Sequence, residues 1–170
     1  LIKARAVAFL YYPSKLAALN SCCSLLCIAL AENEAHDVLL DGLLALLDTL
    51  EVTEDNILSW GPLMTRWEIG LLSELGFGLN LEECAATGVK ENLTYVSPKS
   101  GRSVCQEAGL AYHDKMLPLP KFLVETNTDV TIEDVKEGLG LTEFFMERHM
   151  LSPFGKKIPQ ARRMILDYIS

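Results

Sequence analysis

The sequence predicts a mainly α protein: a helical bundle into which a small loop-and-hairpin subdomain is inserted. Three observations predict it. Apolar residues recur at helical spacing over two separated regions, residues 13–75 and 131–168. Between them, over residues 77–120, glycine, proline, serine and threonine cluster and only two pieces look strand-like. That stretch is too long for a structureless loop in a compact domain, so it must be a subdomain held on the bundle. The expected organisation is residues 1–75 as the first part of the bundle, 76–120 as the inserted subdomain and 121–170 as the second part of the bundle.

The opening Lys3–Tyr12 run imitates a signal peptide, but its apolar part is short and Pro13 interrupts it. Pro13 and Ser14 open the first clear helix, since proline is tolerated in a first turn. Leu16, Leu19, Cys23, Leu26 and Leu30 make its expected stripe, and Glu32, Asn33 and Glu34 end it. Cys23 and Cys27, one turn apart on or beside that stripe, read as core thiols more readily than as metal ligands. A second helix is expected from about His36 to Leu50, with Leu40, Leu43, Leu47 and Leu50 inward and Asp37, Asp41 and Asp48 in water.

After a polar break over Thr53–Asn56 comes the expected central helix. Trp60, Met64, Trp67, Leu71 and Leu75 share one face, and Arg66 and Ser73 fall on another. Two tryptophans carry the largest apolar burial per residue, and Gly76 stands where helices commonly end in a left-handed residue. Three helices on short connections favour antiparallel neighbours. In the insert, Leu93–Ser97 and Ser103–Cys105 flank Pro98-Lys99-Ser100-Gly101, which is turn chemistry, so a hairpin is expected. Beyond Pro118-Leu119-Pro120 the helical pattern returns. Thr131 and Asp134 are spaced as a capping box for a short helix ending near Gly138. Another helix is expected over Leu141–Leu151, and a last one from Pro159 with Ala161, Ile165 and Tyr168 inward.

The formal net charge of −8 argues against the whole chain being a nucleic-acid glove. Its distribution says more. From Glu32 to Glu91 only Arg66 and Lys90 are Lys or Arg among many acids, whereas Arg148 to Arg163 holds five Lys/Arg and no acid. Five cysteines, an odd number without paired spacing, read as reduced thiols of a cytosolic protein. No run approaches the roughly 20 apolar residues that span a bilayer.

Catalytic signals are thin, and no cofactor is implied. Ser100, Cys105, His113 and Asp114 are suitable residue types in one segment, but no strand–turn–helix nucleophile elbow surrounds them. Gly76-Phe77-Gly78 lacks the further glycine and the lysine of a phosphate loop. His36 and His149 are lone histidines near helix ends, suited to a cap or the surface. The basic set near the end is more informative. Phe154, Lys156 and Lys157, then Arg162 and Arg163, join a loop aromatic to cations. The plain alternative is a solvated charged face. Set with Arg66 beside an apolar groove, these groups would suit an acidic peptide ending in phenylalanine and a free carboxylate, because arginine offers a planar fork and apolar side chains hold the ring.

Arg66-Trp67-Glu68, Leu71-Leu72, Glu74-Leu75-Gly76-Phe77-Gly78-Leu79, Leu81 and Cys84, followed by Thr87-Gly88 and by Tyr95 through Val104, resemble the RecO family of bacterial recombination mediators. The likeness runs from about Pro13 to the C-terminus and is densest from Arg66 to Phe122. It implies a non-enzymatic DNA repair and recombination module. The helical domain of such proteins binds the acidic, phenylalanine-ended tail of single-stranded DNA-binding protein (SSB). They also bind RecR and single-stranded DNA, and help load RecA onto SSB-coated strands. Arg66, Lys156 and Arg162 match family positions around the helical groove, and Arg163 joins them on charge alone. The family begins with an OB-fold barrel, a usual single-strand platform, whereas this sequence starts at Leu1 in the helices. Its DNA binding is therefore expected mainly in that missing barrel.

Many such proteins also carry a zinc site of two Cys-x-x-Cys knuckles. Here Cys84 and Cys105 fall at or near ligand positions, but Thr87 and Ala108 stand three residues on. Structural zinc takes four ligands, so a degenerate, metal-free zinc-ribbon-like insert is expected, with Cys84 and Cys105 vestigial. Two rivals stay open: a zinc-stabilised nucleic-acid module using Cys84, Cys105 and His113, and a hydrolase using Ser100 or Cys105.

Overall fold

A computed structural model describes residues 5–30 and 36–169, with side chains from residue 7 on. The segment Glu32–Glu34, expected to end the first long helix, lies outside the described residues, as does Lys3. Among the described residues the first helices are α1 (Arg5–Phe9), α2 (Pro13–Ala29), α3 (Asp37–Val52) and α4 (Ile57–Glu74). Strands β1 (Leu93–Val96) and β2 (Ser103–Cys105) follow, then α5 (Gln106–Gly109) and β3 (Leu117–Pro118). Helices α6 (Ile132–Met146) and α7 (Gln160–Asp167) complete the chain. The fold is mainly helical with one small antiparallel sheet, as the sequence predicts.

Local chemistry sets the boundaries. Pro13 sits in the first turn of α2. The Asn56 side chain accepts from the Leu58 amide at 3.0 Å and caps α4. Thr131 and Asp134 exchange hydrogen bonds in a complete capping box at α6. Gly76 ends α4 with φ +85°, the left-handed conformation that glycine adopts without steric cost.

Helix α4 is the centre of the bundle and packs against both α3 and α6, while α2 packs against α7. Trp60, Met64, Trp67 and Leu71 are buried as their spacing predicts, and Leu75 is half-buried. The α4–α6 crossing is close because glycine faces it from both sides. A Cβ on Gly61 would lie 2.7 Å from Val135, and one on Gly138 would lie 2.9 Å from Phe122 and 3.0 Å from Thr65. Gly138 therefore serves packing rather than termination: α6 runs through it as one helix and continues into a π-helical turn, Glu147–Leu151. The expected break between two shorter helices does not occur.

Three more expectations are corrected. The buried face of α2 is Ala17, Ala18, Ser21, Cys22 and Leu25, whereas Cys23 and Cys27 are exposed. Apart from Lys15 and Asn20 its residues are small or apolar, so spacing alone could not fix its orientation. On α3, Leu43, Leu47 and Leu50 are buried as expected, joined by Leu39 and Leu46, but Leu40 is exposed. On α7, Ile165 is fully buried while Tyr168 is 44% exposed.

The predicted hairpin forms, with Val96 opposite Ser103 and Tyr95 opposite Val104. β3 adds on the other side of β1 in the order β2-β1-β3, with Tyr95 opposite Pro118. This third strand has only two residues, one of them a proline confined to an edge, too little pattern to read in advance. Leu93, Val96, Val104, Cys105 and Leu119 join the same core as the helices.

Candidate functional site

Two glycines open a groove on the bundle. Gly42 of α3 and Gly70 of α4 present no side chains, and a cavity of about 290 Å³ lies between these helices. Leu39, Leu46, Leu63 and Trp67 give it an apolar lining. Trp67 is held there by its Nε1–H, which donates to the Leu39 carbonyl at 3.1 Å. Glu74 lines the groove and meets His36 Nδ1 at 2.9 Å.

Arg66 is the one cation lining this groove. It is exposed, its guanidinium stands 5.8 Å from the centre of the Phe122 ring, and Nη2 donates to the Phe122 carbonyl. These contacts orient the side chain, and no acidic side chain among the described residues pairs with it. A cation fixed beside an apolar trough is suited to a carboxylate attached to an apolar group.

Lys156 lines a different hollow, about 440 Å³, with Leu30, Leu75, Phe77, Met150 and Phe154. The π-helical turn carries His149 into a flat stack on Phe77, centroids 4.6 Å apart and planes 6° apart. Burial, and then Arg148, lower the His149 pKa. Phe154 is 72% exposed at the edge of this hollow.

Arg162 is in neither hollow. It is fully buried, and its Nε donates to Glu68 Oε1 at 2.5 Å while Nη2 donates to Glu68 Oε2 at 3.1 Å and to the Leu139 carbonyl at 2.8 Å. Thr142 Oγ1 donates to the same carboxylate, and Glu143 Oε2 lies 3.6 Å from Nη1. Burial depresses the guanidinium pKa, but Glu68 first, with Glu143 and Cys22, outweighs it and the net direction is upward. Arg163, the next residue, is exposed. Arg66, Lys156 and Arg162 thus do not share one rim: two line separate hollows and the third is an internal strut. The expectation that the last helix turns Arg162 toward a groove is corrected. Arginine can leave water here because Glu68, also fully buried, supplies a fork-to-fork partner.

Sequence reading passed over Glu68, Gly42 and Gly70. Glu68 had a signal: it follows Met64 by one turn on the tryptophan face, where a carboxylate must have a buried partner. The two glycines sit inside helices where they cost helix stability, a hint that space rather than a turn was required.

In the insert, Cys84 Sγ accepts from the Cys105 amide at 3.3 Å, and the Thr87 hydroxyl lies 3.7 Å from Cys105 Sγ. Thr87, three residues after Cys84, thus places a hydroxyl beside the Cys105 sulfur. Among the described residues no group of three or more His, Cys, Asp or Glu is gathered to hold a metal. His113 Nδ1 lies 3.0 Å from the Leu110 carbonyl, and Ser100 Oγ accepts from the Arg102 amide at 3.4 Å. Each is engaged by its own turn rather than by the other. No helix among the described residues is long and apolar enough to cross a membrane.

Comparison with known proteins gives the context. Residues 12–158 match the profile of the family described as "Recombination protein O C terminal". "DNA repair protein RecO" of Caulobacter vibrioides (strain NA1000 / CB15N) is 43% identical over 155 residues, which is 91% of this chain and 62% of that protein. The protein of the same name from Rhodospirillum centenum is 44% identical over 167 residues, 97% of this chain and 64% of that protein. That from Xanthobacter autotrophicus is 47% identical over 133 residues, 78% of this chain and 53% of that protein. The chain thus spans under two thirds of the length of these relatives. No solved structure matches it. With a family profile covering most of its length and relatives well above the identity at which families diverge, the chain belongs to the RecO family of DNA repair proteins.

Proposed function

We propose that this chain is the helical part of a non-enzymatic recombination mediator that holds the acidic C-terminal tail of SSB in the groove between α3 and α4. By also contacting RecR it helps RecA onto SSB-coated single-stranded DNA. The observation that carries this reading is an apolar trough of about 290 Å³ with a single, positioned arginine lining it. The terminal phenylalanine ring enters among Leu39, Leu46 and Trp67, and its carboxylate meets Arg66. Lys156 and Arg163 lie outside the groove and act on the tail only through the field that speeds encounter. Arg162 supports binding by holding the bundle together.

A labelled peptide of the tail sequence, titrated against the chain, tests this. Saturable binding that weakens with salt, and at least about tenfold when the terminal carboxylate is amidated, is expected from the loss of a charge-assisted hydrogen-bond pair. Equal affinity for the free and amidated peptides rules out the arginine clamp.

A second reading concerns the other hollow. Exposed Phe154 beside Lys156 and Lys157 is a combination that stacks a base and neutralises a phosphate, as single-strand-binding surfaces do. In that reading this loop adds a minor DNA contact to those made elsewhere in the mediator.

A further inference from the structure

The insert holds two core cysteines that the groove does not use. Cys84 precedes a turn in which every residue from Ala85 to Asn92 is exposed, and Cys105 ends β2. The Cys105 amide donates to Cys84 Sγ at 3.3 Å, and the Thr87 hydroxyl is within hydrogen-bond reach of both sulfurs, 3.7 Å from that of Cys105. The Cys84 sulfur thus lies against the Cys105 backbone, with the Thr87 hydroxyl beside the Cys105 sulfur. Both side chains are nearly covered, but Cys105 lines an open hollow of about 440 Å³ together with Val89, Glu91, Asn92, Gln106 and Leu110. A small solute can reach it there.

We infer that Cys84 and Cys105 form an oxidisable dithiol, a site that a small hydroperoxide converts to an intramolecular disulfide. Three other cysteines, Cys22, Cys23 and Cys27, lie together on α2, away from this pair in sequence, and Cys23 and Cys27 are the exposed ones. Exposure alone would thus send oxidant to α2, so the pair is distinguished by mutual placement and by the thiolate character of the sulfur that closes the disulfide. Burial pushes the Cys84 thiol up, but the Cys105 amide, the Thr87 hydroxyl and the amides of Ala86 and Thr87 outweigh it and lower its pKa to about 6. By contrast, burial and the neighbouring Cys27 raise the pKa of Cys23.

The chemistry balances with hydrogen peroxide, the simplest hydroperoxide, as oxidant. The Cys105 sulfur, at the hollow, attacks one peroxide oxygen. The O–O bond breaks, the leaving hydroxide takes the thiol proton, and one water and a sulfenic acid result. The Cys84 thiolate then attacks that sulfur, the S–O bond breaks, and hydroxide leaves to be protonated by solvent. Two thiols lose two electrons, and the peroxide is reduced to two waters. The bond would tie the 80–92 turn covalently to the end of β2, where hydrogen bonds and core packing now hold it.

The test uses the 170-residue chain treated with a small excess of hydrogen peroxide, quenched, unfolded and titrated for thiols, with the remaining thiols alkylated for peptide mapping. The expected result is a fall from five free thiols to three, with Cys84 and Cys105 recovered as one cross-linked peptide that dithiothreitol separates. Thr87→Val, which keeps the shape of the turn but removes the shared hydroxyl, should slow the reaction several-fold without changing the product. Oxidation confined to Cys23 and Cys27, or Cys105 carried to its sulfinic acid without linkage to Cys84, overturns the proposal. Either result is read on the unsubstituted protein, so it does not depend on whether a variant folds.

Discussion

Arg162→Ala lowers the melting temperature by on the order of 10 °C, about 3–5 kcal/mol, because it strands a fully buried carboxylate. Glu68 is fully buried on the tryptophan face of α4, and Arg162 supplies both of the nitrogens that neutralise it. Thr142 donates to the same carboxylate but brings no charge. Arg162→Lys keeps the charge and loses the fork, so an intermediate loss is expected. The paired change Glu68→Leu with Arg162→Met removes both charges together and should recover most of the stability, since a buried ion pair barely offsets its own desolvation. That double variant is also informative about function. If Arg162 acts only by holding α7 to α4 and α6, the double variant binds the tail as the parent does. Loss of tail binding in a stable double variant would return Arg162 to the binding surface. Thermal melts of the four proteins, run beside one titration, settle both points.

The groove gives the second large effect. Arg66→Ala should weaken tail binding by at least about tenfold, the loss of a charge-assisted contact. Its melting temperature should hardly move, because Arg66 is exposed and holds only the Phe122 carbonyl and ring. Gly70→Leu is the sharper companion. A Cβ at Gly70 meets nothing within 4 Å, and the residue lines the groove. Leucine there should raise helix stability by about 0.5–1 kcal/mol while filling the space the phenylalanine ring needs. A protein that melts higher and binds less is a combination that general damage to the fold does not produce. Undiminished binding by Gly70→Leu would place the tail somewhere else.

What could be read in advance follows a physical division. Regular spacing with strong contrast was legible: α4 with its tryptophans, Gly76 at its end, the capping box at Thr131 and the Pro98–Gly101 hairpin all rest on local chemistry that tertiary packing did not override. Weak contrast was not. Helix α2 is apolar or small apart from Lys15 and Asn20, so its buried face, and with it the exposure of Cys23 and Cys27, depended on which neighbours it met. Glycine was ambiguous for a similar reason. Gly138 read as a stop but serves a close crossing, and Gly42 and Gly70 serve an opening, differences that only the opposing helix defines. For the site, Arg66 was identified on a polar face of α4, and its setting beside a trough was the part that needed coordinates. Arg162 was drawn to the surface because charge was read without its partner. Glu68, 94 residues away in sequence, reverses that reading.

The central claim is that the tail lies between α3 and α4 with its terminal carboxylate at Arg66. The most direct measurement replaces the terminal phenylalanine of the tail peptide with a photoreactive analogue, irradiates the complex and maps the adducts. Attachment to Leu39, Leu46 or Trp67, lost in Arg66→Ala, is the predicted result. Attachment to Phe77, Phe154 or Lys156 would contradict it and move the docking surface to the other hollow.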